Sequence, residues 1–297
     1  MTAPRIALVT AKAARNLDDD LVPLEFALKS KGADVARVEW DDADAPWDTF
    51  DIALLRSTWD YSQRLPEFLD WVTRVSAITH LLNPLAVVRW NTDKHYLHDL
   101  ATAGVTTVPS VFVEPDHDAS DGVRKFLTAY ADAEFVVKPS VGAGSRDAQR
   151  YNRHQIDASI EHVQRLLDDR RSVLLQPYFD RVDEHGETAL IFFAGTFSHA
   201  IRKGPLLRPN EGPTRALFAA EHISARQPNP EEIGLAEKTL SAIPFDKPLL
   251  YARVDLIQDP SGAPALLELE LTEPSLFFAF DTGAADRFAE AILKVPR

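Results

Sequence analysis

Residues 250–271 constrain the fold most, because polar and apolar residues alternate along them on both sides of a turn. The turn is Asp259-Pro260-Ser261-Gly262, whose residue types favour a tight connection between two strands. We therefore predict a β-hairpin centred on Ser261 and Gly262. One of its faces is apolar throughout, which favours a single register. The apolar pairs in that register are Ala252 with Leu271, Val254 with Leu269, and Leu256 with Leu267.

The other face of the hairpin is crowded with charged side chains. In the same register, Asp255 lies opposite Glu268 and Arg253 lies opposite Glu270. Like charges that face each other destabilise a sheet, so the pair Asp255 and Glu268 indicates a hard cation between them. Carboxylate oxygens are the ligands that Mg²⁺ takes. The pattern predicts a metal site at Asp255, Glu268 and Glu270, and a polar face exposed to solvent is the alternative that the pattern leaves open.

The composition limits the partners that such a site would serve. The chain has 297 residues, a length that allows two or three compact lobes. Its 45 acidic residues outnumber its 32 basic residues, and the net charge of −13 argues against nucleic acid or an anionic membrane as the main partner. An anionic ligand would therefore need a local cluster of cations or a metal ion.

Two absences from the sequence narrow the choice further. It contains no cysteine, which excludes disulfides, thiolate metal sites and cysteine nucleophiles. It also lacks the pattern of a signal peptide and any apolar run approaching about 18 residues. We therefore expect a cytoplasmic protein, and the sequence leaves open whether it forms a homo-oligomer.

The first ninety residues alternate between strands and helices. Short apolar runs indicate strands, and stretches of helical period lie between them. This order predicts a small parallel sheet with helices on its faces. The strands are expected at 6–10, 35–40 and 51–56, and the helices at 21–30 and 66–78.

A polar and aromatic segment follows the third of these strands. Ligands of parallel sheets bind at the carboxyl ends of the strands, which is where Ser57, Thr58, Trp59, Asp60 and Tyr61 fall. These five residues and Ser275 are the candidates for contacts with a substrate. Packing of Trp59 in a domain interface is an equally good interpretation.

A second unit begins near residue 91. Asn91-Thr92-Asp93 is typical of a helix N-cap, and helical spacing continues to Gly104. A strand at 135–138 then ends at Lys138 and leads into small residues, whose backbone N–H groups can approach a phosphate closely. The loop matches neither common phosphate motif, because no Gly-Lys-Ser/Thr follows and Asp147 stands where a third glycine would be. An ordinary loop is the alternative.

The rest of the chain is predicted to become rich in strands. A proline-containing loop at 205–214 is a candidate lid over a site, as is the loop 142–145. Helices are expected at 155–168, 230–242 and 284–293, and strands at 173–176, 190–193, 197–202, 249–257 and 265–271.

Five motifs, taken in order, resemble the ATP-grasp superfamily of carboxylate–amine ligases, and three further runs resemble its glutathione-synthetase-like branch. The resemblance covers essentially the whole chain. The five motifs are Asn91-Thr92-Asp93-Lys94, Val137-Lys138-Pro139 with the loop 142–145, Gln176-Pro177-Tyr178, Arg253-x-Asp255 and Glu268-x-Glu270. The three runs are 56–61, 195–205 and 267–270.

The resemblance implies an α/β protein with the ATP-grasp fold. Residues 1–90 would form a Rossmann-like domain with a parallel sheet, on the substrate side. Residues 91–180 would form a central lobe with a linker helix and the glycine loop. Residues 181–297 would form a C-terminal lobe that carries the metal-binding hairpin, and these two α+β lobes would enclose ATP.

The resemblance also implies which residues bind the nucleotide. Lys94 and Lys138 would contact its phosphates, and a loop formed by Gly142, Gly144 and Ser145 would close over them. The other implied contacts are Gln176, Pro177 and Tyr178 at the adenine and Asp183 at the ribose.

For the reacting groups, the resemblance implies that Asp255, Glu268 and Glu270 bind Mg²⁺. The common pattern has asparagine in the third position, so Glu270 makes this site more anionic. Arg253 would stabilise charge on the reacting carboxyl group, and Lys203 would assist phosphoryl transfer.

Together these roles imply a ligase that uses ATP to convert the carboxylate of a small, amino-acid-derived substrate into an acyl phosphate. The members of the branch that the chain resembles most close a ring, because the attacking nitrogen belongs to the same molecule. Two alternatives remain: a ligase that joins two amino acids, and a nucleotide-binding module without turnover. The acidic triplet, the two lysines and Arg253 argue against the module.

Overall fold

The structure of the protein, a computed structural model, describes residues 3–130, 134–208, 212, 222–246 and 248–296. Within these ranges the chain forms three β-sheets flanked by helices, which confirms the predicted α/β class. No helix in the described ranges is both long and apolar enough to cross a membrane.

The first sheet is formed by the N-terminal part of the chain. Its elements are β1 (Arg5–Thr10), α1 (Leu21–Ser30), β2 (Asp34–Glu39), β3 (Ile52–Ser57), α2 (Leu65–Ser76) and β4 (His80–Leu82), with 3₁₀ helices at Lys12–Ala14, Trp47–Thr49 and Trp59–Gln63. The strands are parallel in the order β2-β1-β3-β4, which confirms the predicted topology. The two central strands are almost wholly buried, which explains why their sequences are continuous apolar runs.

Two short helices, α3 (Leu85–Asn91) and α4 (Tyr96–Thr102), lead to the second sheet. The N-cap predicted at Asn91-Thr92-Asp93 is wrong, because α3 ends at Asn91 and the N-cap of α4 is His95. The side-chain amide of Asn91 donates to the carbonyl of Leu269 at 2.8 Å and accepts from the N–H of Leu271 at 2.6 Å. Asn91 therefore ties this linker to the predicted hairpin.

The second sheet is antiparallel and carries two helices on one face. Its elements are β5 (Val111–Val113), α5 (Ala119–Ala129), β6 (Phe135–Pro139), β7 (Gln149–Tyr151), α6 (Ile156–Asp168) and β8 (Val173–Pro177), with a 3₁₀ helix at Arg153–Gln155. The strand order is β5-β8-β6-β7. Along β6, Phe135 and Val137 enter the core with the helices, so the alternate residues Val136 and Lys138 point to the other face.

The third sheet is also antiparallel, in the order β11-β10-β9-β12-β13. Its strands are β9 (Glu187–Phe193), β10 (Thr196–Lys203), β11 (Ile223–Arg226), β12 (Tyr251–Gln258) and β13 (Pro264–Glu270). The remaining elements are α7 (Arg181–His185), α8 (Pro230–Ala242), a 3₁₀ helix at Phe278–Phe280 and α9 (Ala284–Leu293).

The predicted hairpin is formed by β12 and β13, and its register is confirmed at the charged end. Arg253 pairs with Glu270 and Asp255 pairs with Glu268. Beyond this point the prediction is wrong, because a β-bulge shifts the register and Leu256 pairs with Leu266 instead of Leu267. Leu266 fills the core, and the displaced Leu267 lines a cleft instead.

The C-terminal helix connects the third sheet to the first. Phe288 on α9 is fully buried in a cluster with Leu28 of α1, Ile6 of β1 and Phe193 of β9. The rings of Phe288 and Phe193 stack with their centroids 4.6 Å apart. This shared core joins the first and third sheets. The predicted domain boundaries near residues 90 and 180 remain a prediction.

Candidate active site

A cleft that is partly open to solvent lies between the three sheets. The first sheet contributes the segment after β3, the second contributes β6 and β8, and the third contributes β12 and β13. Motifs that are far apart in sequence therefore converge. The predicted site residues that line the cleft are Trp59, Lys94, Lys138, Gly142, Gly144, Ser145, Gln176, Pro177, Tyr178, Lys203, Arg253, Glu268, Glu270 and Ser275.

Asp255 is the most deeply buried carboxylate of the hairpin, and two basic side chains bind it. Arg253 donates to both of its oxygens at 2.9 Å, and the Nζ of Lys203 donates to Oδ2 at 2.5 Å. Burial alone would raise the pKa of Asp255, but Arg253 and Lys203 outweigh it and lower that pKa to about 2. Asp255 is therefore ionised at neutral pH.

The pKa values of the other two carboxylates of the triplet shift in opposite directions. The Nζ of Lys94 lies 2.9 Å from Oε1 of Glu268, and with Lys138 it lowers the pKa of Glu268 against the effect of burial. Glu270 accepts a hydrogen bond from Arg253. Burial nevertheless raises the pKa of Glu270 to about 7, and the neighbouring charges of Glu268 and Asp255 add to the rise.

The crowding of Asp255 and Glu268, which the sequence attributes to a metal, is relieved here by basic side chains. Among the residues that the structure describes, no three acidic or histidine side chains converge as a ready metal cage. Mg²⁺ usually takes only one or two carboxylates together with phosphate oxygens, so a preformed cage is not required. The oxygen donors of Asp255, Glu268 and Glu270 fit such an ion, and their role as its ligands stays a prediction.

Lys94 connects the carboxylates to the glycine loop. Its Nζ donates to the carbonyl of Gly142 at 3.0 Å, and its backbone N–H donates to the carbonyl of Ser140 at 2.9 Å. Gly144 and Ser145 both have positive φ angles, of 61° and 58°, which turn the loop sharply over the cleft. The loop therefore lies against a lysine amine at the point where the sequence predicts phosphates.

Lys138 lies on the face of β6 opposite the core and lines the cleft. Burial lowers the pKa of Lys138 to about 8, and the positive charge of Lys94 adds to this effect while Glu268 opposes it. An anionic ligand in the cleft would favour its charged form.

The hinge motif forms one side of the cleft. Gln176 is buried and its Nε2 donates to the hydroxyl of Ser110 at 2.9 Å. The guanidinium of Arg150 lies over the ring of Tyr178, 3.6 Å from its centroid. Tyr178 in turn donates its hydroxyl to Asp183 at 2.6 Å. The orientation of Tyr178 is thus set from behind by two charged side chains.

Asp183, predicted at the ribose, is not among the residues that line the cleft. Its two oxygens accept from Arg150 at 3.0 Å, so its carboxylate is already used in the pair that supports Tyr178. Glu187, at the start of β9, lines the cleft instead and lies 3.4 Å from the Nζ of Lys203. The sequence analysis missed Glu187, although its position at the start of a strand next to the hinge is a signal that was available.

Of the five candidates from Ser57 to Tyr61, Trp59 and Tyr61 line the cleft. Ser57 donates to the hydroxyl of Thr10 at 2.8 Å, and Thr58 is fully buried. Asp60 accepts hydrogen bonds from Trp40 at 2.9 Å and from the guanidinium of Arg64 at 3.1 Å. The 3₁₀ helix that begins at Trp59 turns Asp60 towards Trp40, in the core beside the first sheet.

Residues 272–278, which we call the anchored segment, form the wall of the cleft beyond the hairpin. Five consecutive carbonyls of this irregular segment each accept a hydrogen bond from a side chain of another element. The pairs, carbonyl first, are Thr272 with Tyr251 at 2.8 Å, Glu273 with Trp59 at 3.0 Å, Pro274 with Arg56 at 2.8 Å, Ser275 with Arg253 at 3.2 Å, and Leu276 with His199 at 2.8 Å.

The far end of the anchored segment is held through its N–H groups. The carboxylate of Asp20 accepts from three successive N–H groups at 2.6 to 3.0 Å, those of Leu276, Phe277 and Phe278. The segment therefore keeps one shape without regular secondary structure. Glu273, Ser275 and Phe277 present their side chains to the cleft.

The predicted lid at 205–214 is described only in part. Leu206 and Leu207 line the cleft near Lys203. Residues 209–211, 213 and 214 lie outside the described residues.

Comparisons with known proteins agree with this geometry. A family model for the N-terminal domain of D-cycloserine synthetase DcsG matches residues 6–83. The cycloserine biosynthesis protein DcsG of Streptomyces lavendulae is 41% identical over 292 residues, which are 97% of each chain. The chain belongs to the DcsG family. Its structure is that of an ATP-grasp ligase, as the sequence predicts.

Two solved structures support the same conclusion about the fold. The crystal structure of D-cycloserine synthetase DcsG matches with a TM-score of 0.92 at 41% identity, over 97% of this chain and 98% of that chain. The ATP-grasp ligase PsnB, complexed with a minimal precursor, Mg and ADP, matches with a TM-score of 0.64 at 16% identity, over 97% of each chain. At that identity PsnB shares the fold alone.

Proposed function

We propose that this protein converts O-ureido-D-serine into D-cycloserine and uses ATP to activate the carboxyl group. Its similarity to DcsG, a D-cycloserine synthetase, supports this choice of substrate and product. The observation in the structure that carries the proposal is the position of Arg253. Its guanidinium binds the carboxylates of Asp255 and Glu270, and it also donates to the carbonyl of Ser275 in the anchored segment. Arg253 thus contacts both the carboxylates of the hairpin and the anchored segment, beside which we propose that the substrate binds.

ATP would bind between the second and third sheets. Tyr178, fixed by Arg150 and Asp183, would contact the adenine together with Gln176 and Leu267. The glycine loop would cover the phosphates, because its backbone is already bound to Lys94. An ATP-consuming ligase of this kind also fits the cytoplasmic location that the sequence predicts.

Mg²⁺ would be held by Asp255, Glu268 and Glu270, and it would neutralise charge on the transferring phosphoryl group. Lys94, Lys138 and Lys203 would bind phosphate oxygens. Two of these lysines are paired with carboxylates of the hairpin, at 2.9 Å for Lys94 and 2.5 Å for Lys203. Both amines are buried, so a phosphate would exchange one charged partner for another without exposing them to water.

In the first step, an oxygen of the substrate carboxylate attacks the γ-phosphorus, and the bond to ADP breaks. The resulting acyl phosphate has a good leaving group. In the second step, the ureido nitrogen that is bonded to oxygen attacks the acyl carbon and loses its proton, and inorganic phosphate leaves. Arg253 would stabilise the oxyanion that forms on attack. The nucleophile belongs to the same molecule, so ring closure gains from proximity.

The ring still carries a carbamoyl group on its nitrogen. Addition of water to this group releases carbon dioxide and ammonia and leaves D-cycloserine. The whole reaction therefore consumes one O-ureido-D-serine, one ATP and one water. It forms one D-cycloserine, one ADP, one phosphate, one carbon dioxide and one ammonia.

The proposal is tested by incubating the protein with ATP, Mg²⁺ and O-ureido-D-serine alone, and again with a panel of free amino acids. Products are identified by mass spectrometry while ADP release is followed. We expect D-cycloserine with the single substrate, and no incorporation of the added amines. A strict requirement for a second amino acid, with a linear amide as the product, would identify an intermolecular ligase instead. No ADP release under any condition would favour a binding module.

A further inference from the structure

Glu273 differs from the other carboxylates of the cleft. It is only 6% exposed, yet it lines the cleft. The carboxylates of Asp255, Glu268 and Glu270 are each bound by a lysine or an arginine. The partner that the structure shows for the side chain of Glu273 is the neutral phenol of Tyr61.

The surroundings of Glu273 favour the arrival of a cation. Burial raises the pKa of Glu273 to about 8; the charge of Glu270 adds to this rise, and Tyr61 and Lys94 oppose it. Burial thus favours the neutral form of Glu273, and a positive group on a ligand in the cleft would favour the charged form. The hydroxyl of Tyr61 would keep one oxygen in place while the other receives the ligand.

Three side chains of other elements hold the backbone around Glu273. Trp59 donates to the carbonyl of Glu273 at 3.0 Å. Tyr251 and Arg56 donate to the carbonyls of the residues on either side, each at 2.8 Å. Such support from neighbouring elements is what a binding group needs in order to be pre-organised. Two residues further along, the carbonyl of Ser275 is bound by Arg253.

We propose that Glu273, supported by Tyr61, binds the ammonium group of the substrate and selects α-amino acids over other carboxylic acids. The inference rests on the proposed function, in which the carboxyl group of the substrate reacts at Arg253. In an α-amino acid the ammonium nitrogen lies two bonds from the carboxyl carbon, through the α-carbon. Arg253 and Glu273 both contact or belong to the anchored segment, so they can hold the two ends of one small zwitterion.

The test compares O-ureido-D-serine with its analogue in which a hydroxyl replaces the α-ammonium group. Activity is measured as ADP release for the wild type, for Glu273→Gln and for Glu184→Gln. Glu184 is the matched control, because its side chain is 85% exposed and it does not line the cleft. The wild type and Glu184→Gln are expected to prefer the ammonium compound by about 10- to 100-fold in kcat/KM, the range of a charge-assisted hydrogen bond.

In Glu273→Gln, we expect that preference to fall to about twofold or less, through a higher KM for O-ureido-D-serine with the KM for ATP unchanged. An equal loss for both compounds, with the preference intact, would overturn the inference. A shift in the Mg²⁺ dependence with the preference intact would overturn it as well and would identify Glu273 as a metal ligand.

Two further variants keep the inference open to refutation if Glu273→Gln does not fold. Glu273→Asp retains the charge and should retain most of the preference, and Tyr61→Phe should weaken it by a few-fold. A folded Glu273→Asp protein with no preference for the ammonium compound would contradict the role assigned to Glu273. A folded Tyr61→Phe protein with unaltered KM and preference would contradict the role assigned to Tyr61.

Failure of the proposed function gives a different result from failure of this inference. If the wild type does not cyclise O-ureido-D-serine, the same variants are assayed for ADP release with D- and L-amino acids and their α-hydroxy counterparts. Preference for the amino acids that disappears in Glu273→Gln would then support the ammonium site without the cyclisation. Equal ADP release by the wild type with the amino acids and with their α-hydroxy counterparts would overturn the proposed ammonium site.

Discussion

The two ends of the cleft differ in the partners that their buried carboxyl groups have. At the hairpin end, Asp255 and Glu268 are bound by Lys203 and Lys94 at 2.5 and 2.9 Å. At the anchored segment, the carboxyl group of Glu273 has a phenol for its partner. The first end is neutralised by the protein itself, and the second is completed by a ligand.

This difference indicates which ligand belongs at each end. The charged amines of Lys94 and Lys203 favour the binding of a polyphosphate, provided that a cation such as Mg²⁺ replaces them beside the carboxylates of the hairpin. A carboxyl group without a cation favours a positively charged organic group. We therefore expect the nucleotide at the hairpin and an amino-acid-derived substrate at the anchored segment. Mutations at the two ends should affect different kinetic constants.

The largest effect is expected from Asp255→Asn. The loss of this carboxylate should reduce turnover by about 10³-fold or more, because it removes a predicted ligand of the metal that supports phosphoryl transfer. It also leaves Arg253 and Lys203 without their shared partner, so the free energy of unfolding should fall by about 3–5 kcal/mol. ADP release and urea unfolding measure the two effects. Asp70→Asn, on the exposed side of α2, is the matched control, and turnover of Asp255→Asn near that of the control would remove the hairpin from the reaction.

Arg253→Lys should give the next largest loss. A lysine keeps the charge but cannot bind Asp255 through two nitrogens and reach the carbonyl of Ser275 as well. We expect kcat to fall by about 10²–10³-fold with a much smaller change in the KM for substrate, because its charge partner develops after attack. Steady-state kinetics with each substrate varied in turn provides the measurement. A change confined to KM would show that Arg253 only binds the ground state.

Lys138→Ala should weaken the binding of the nucleotide and leave the binding of the second substrate unchanged. We expect its KM for ATP to rise by about 10- to 100-fold, because a phosphate loses a charge-assisted hydrogen bond, while the KM for the second substrate stays constant. Lys125→Ala, on the exposed face of α5, is the control. Equal changes in both KM values would contradict the separation of the two ends.

The lowered pKa of Lys138 adds a dependence on pH. The charged form binds phosphate, and its pKa is about 8 in the free protein. The kcat/KM for ATP should therefore be highest below pH 8 and should fall as the pH rises through this value. In Lys138→Arg, whose side chain stays charged, this fall should be absent. A fall at the same pH in the variant would assign it to another group.

The smallest effect is expected from Trp59→Phe. This change removes the hydrogen bond to the carbonyl of Glu273, so the free energy of unfolding should decrease by about 0.5–1.5 kcal/mol. The KM for substrate should rise a few-fold and that for ATP should not change, because the indole N–H of Trp59 binds the anchored segment. A larger effect on ATP would show that Trp59 serves the nucleotide end instead.

The two ends also differ in how far the sequence predicts them. The hairpin has a period of two residues and a turn with specific residue types, so the pairs of Arg253 with Glu270 and Asp255 with Glu268 follow directly. The bulge at Leu267 does not follow, because it depends on how Leu266 fits the core. The order of strands and helices was likewise enough to predict the parallel sheet, and the resemblance of five motifs to a known superfamily predicted the ATP-grasp fold.

The anchored segment has no periodicity, and its shape depends on distant side chains such as Asp20 and Arg56. No local pattern therefore indicates that Glu273 faces the cleft. The same reason explains why Ser57, Thr58 and Asp60 were selected and then found outside the cleft. A position at the end of a strand is predictable, whereas the direction in which the next turn points a side chain is set by tertiary contacts.

The central claim is that the carboxyl group of one substrate is phosphorylated by ATP and then displaced by a nitrogen of that substrate. It is tested most directly with O-ureido-D-serine labelled with ¹⁸O in both carboxyl oxygens, in the presence of ATP and Mg²⁺ only. Mass spectrometry of the products locates the label. We predict one labelled oxygen in inorganic phosphate and the other in the ring carbonyl of D-cycloserine, with ADP as the nucleotide product. Unlabelled phosphate, or label in AMP, would contradict the account.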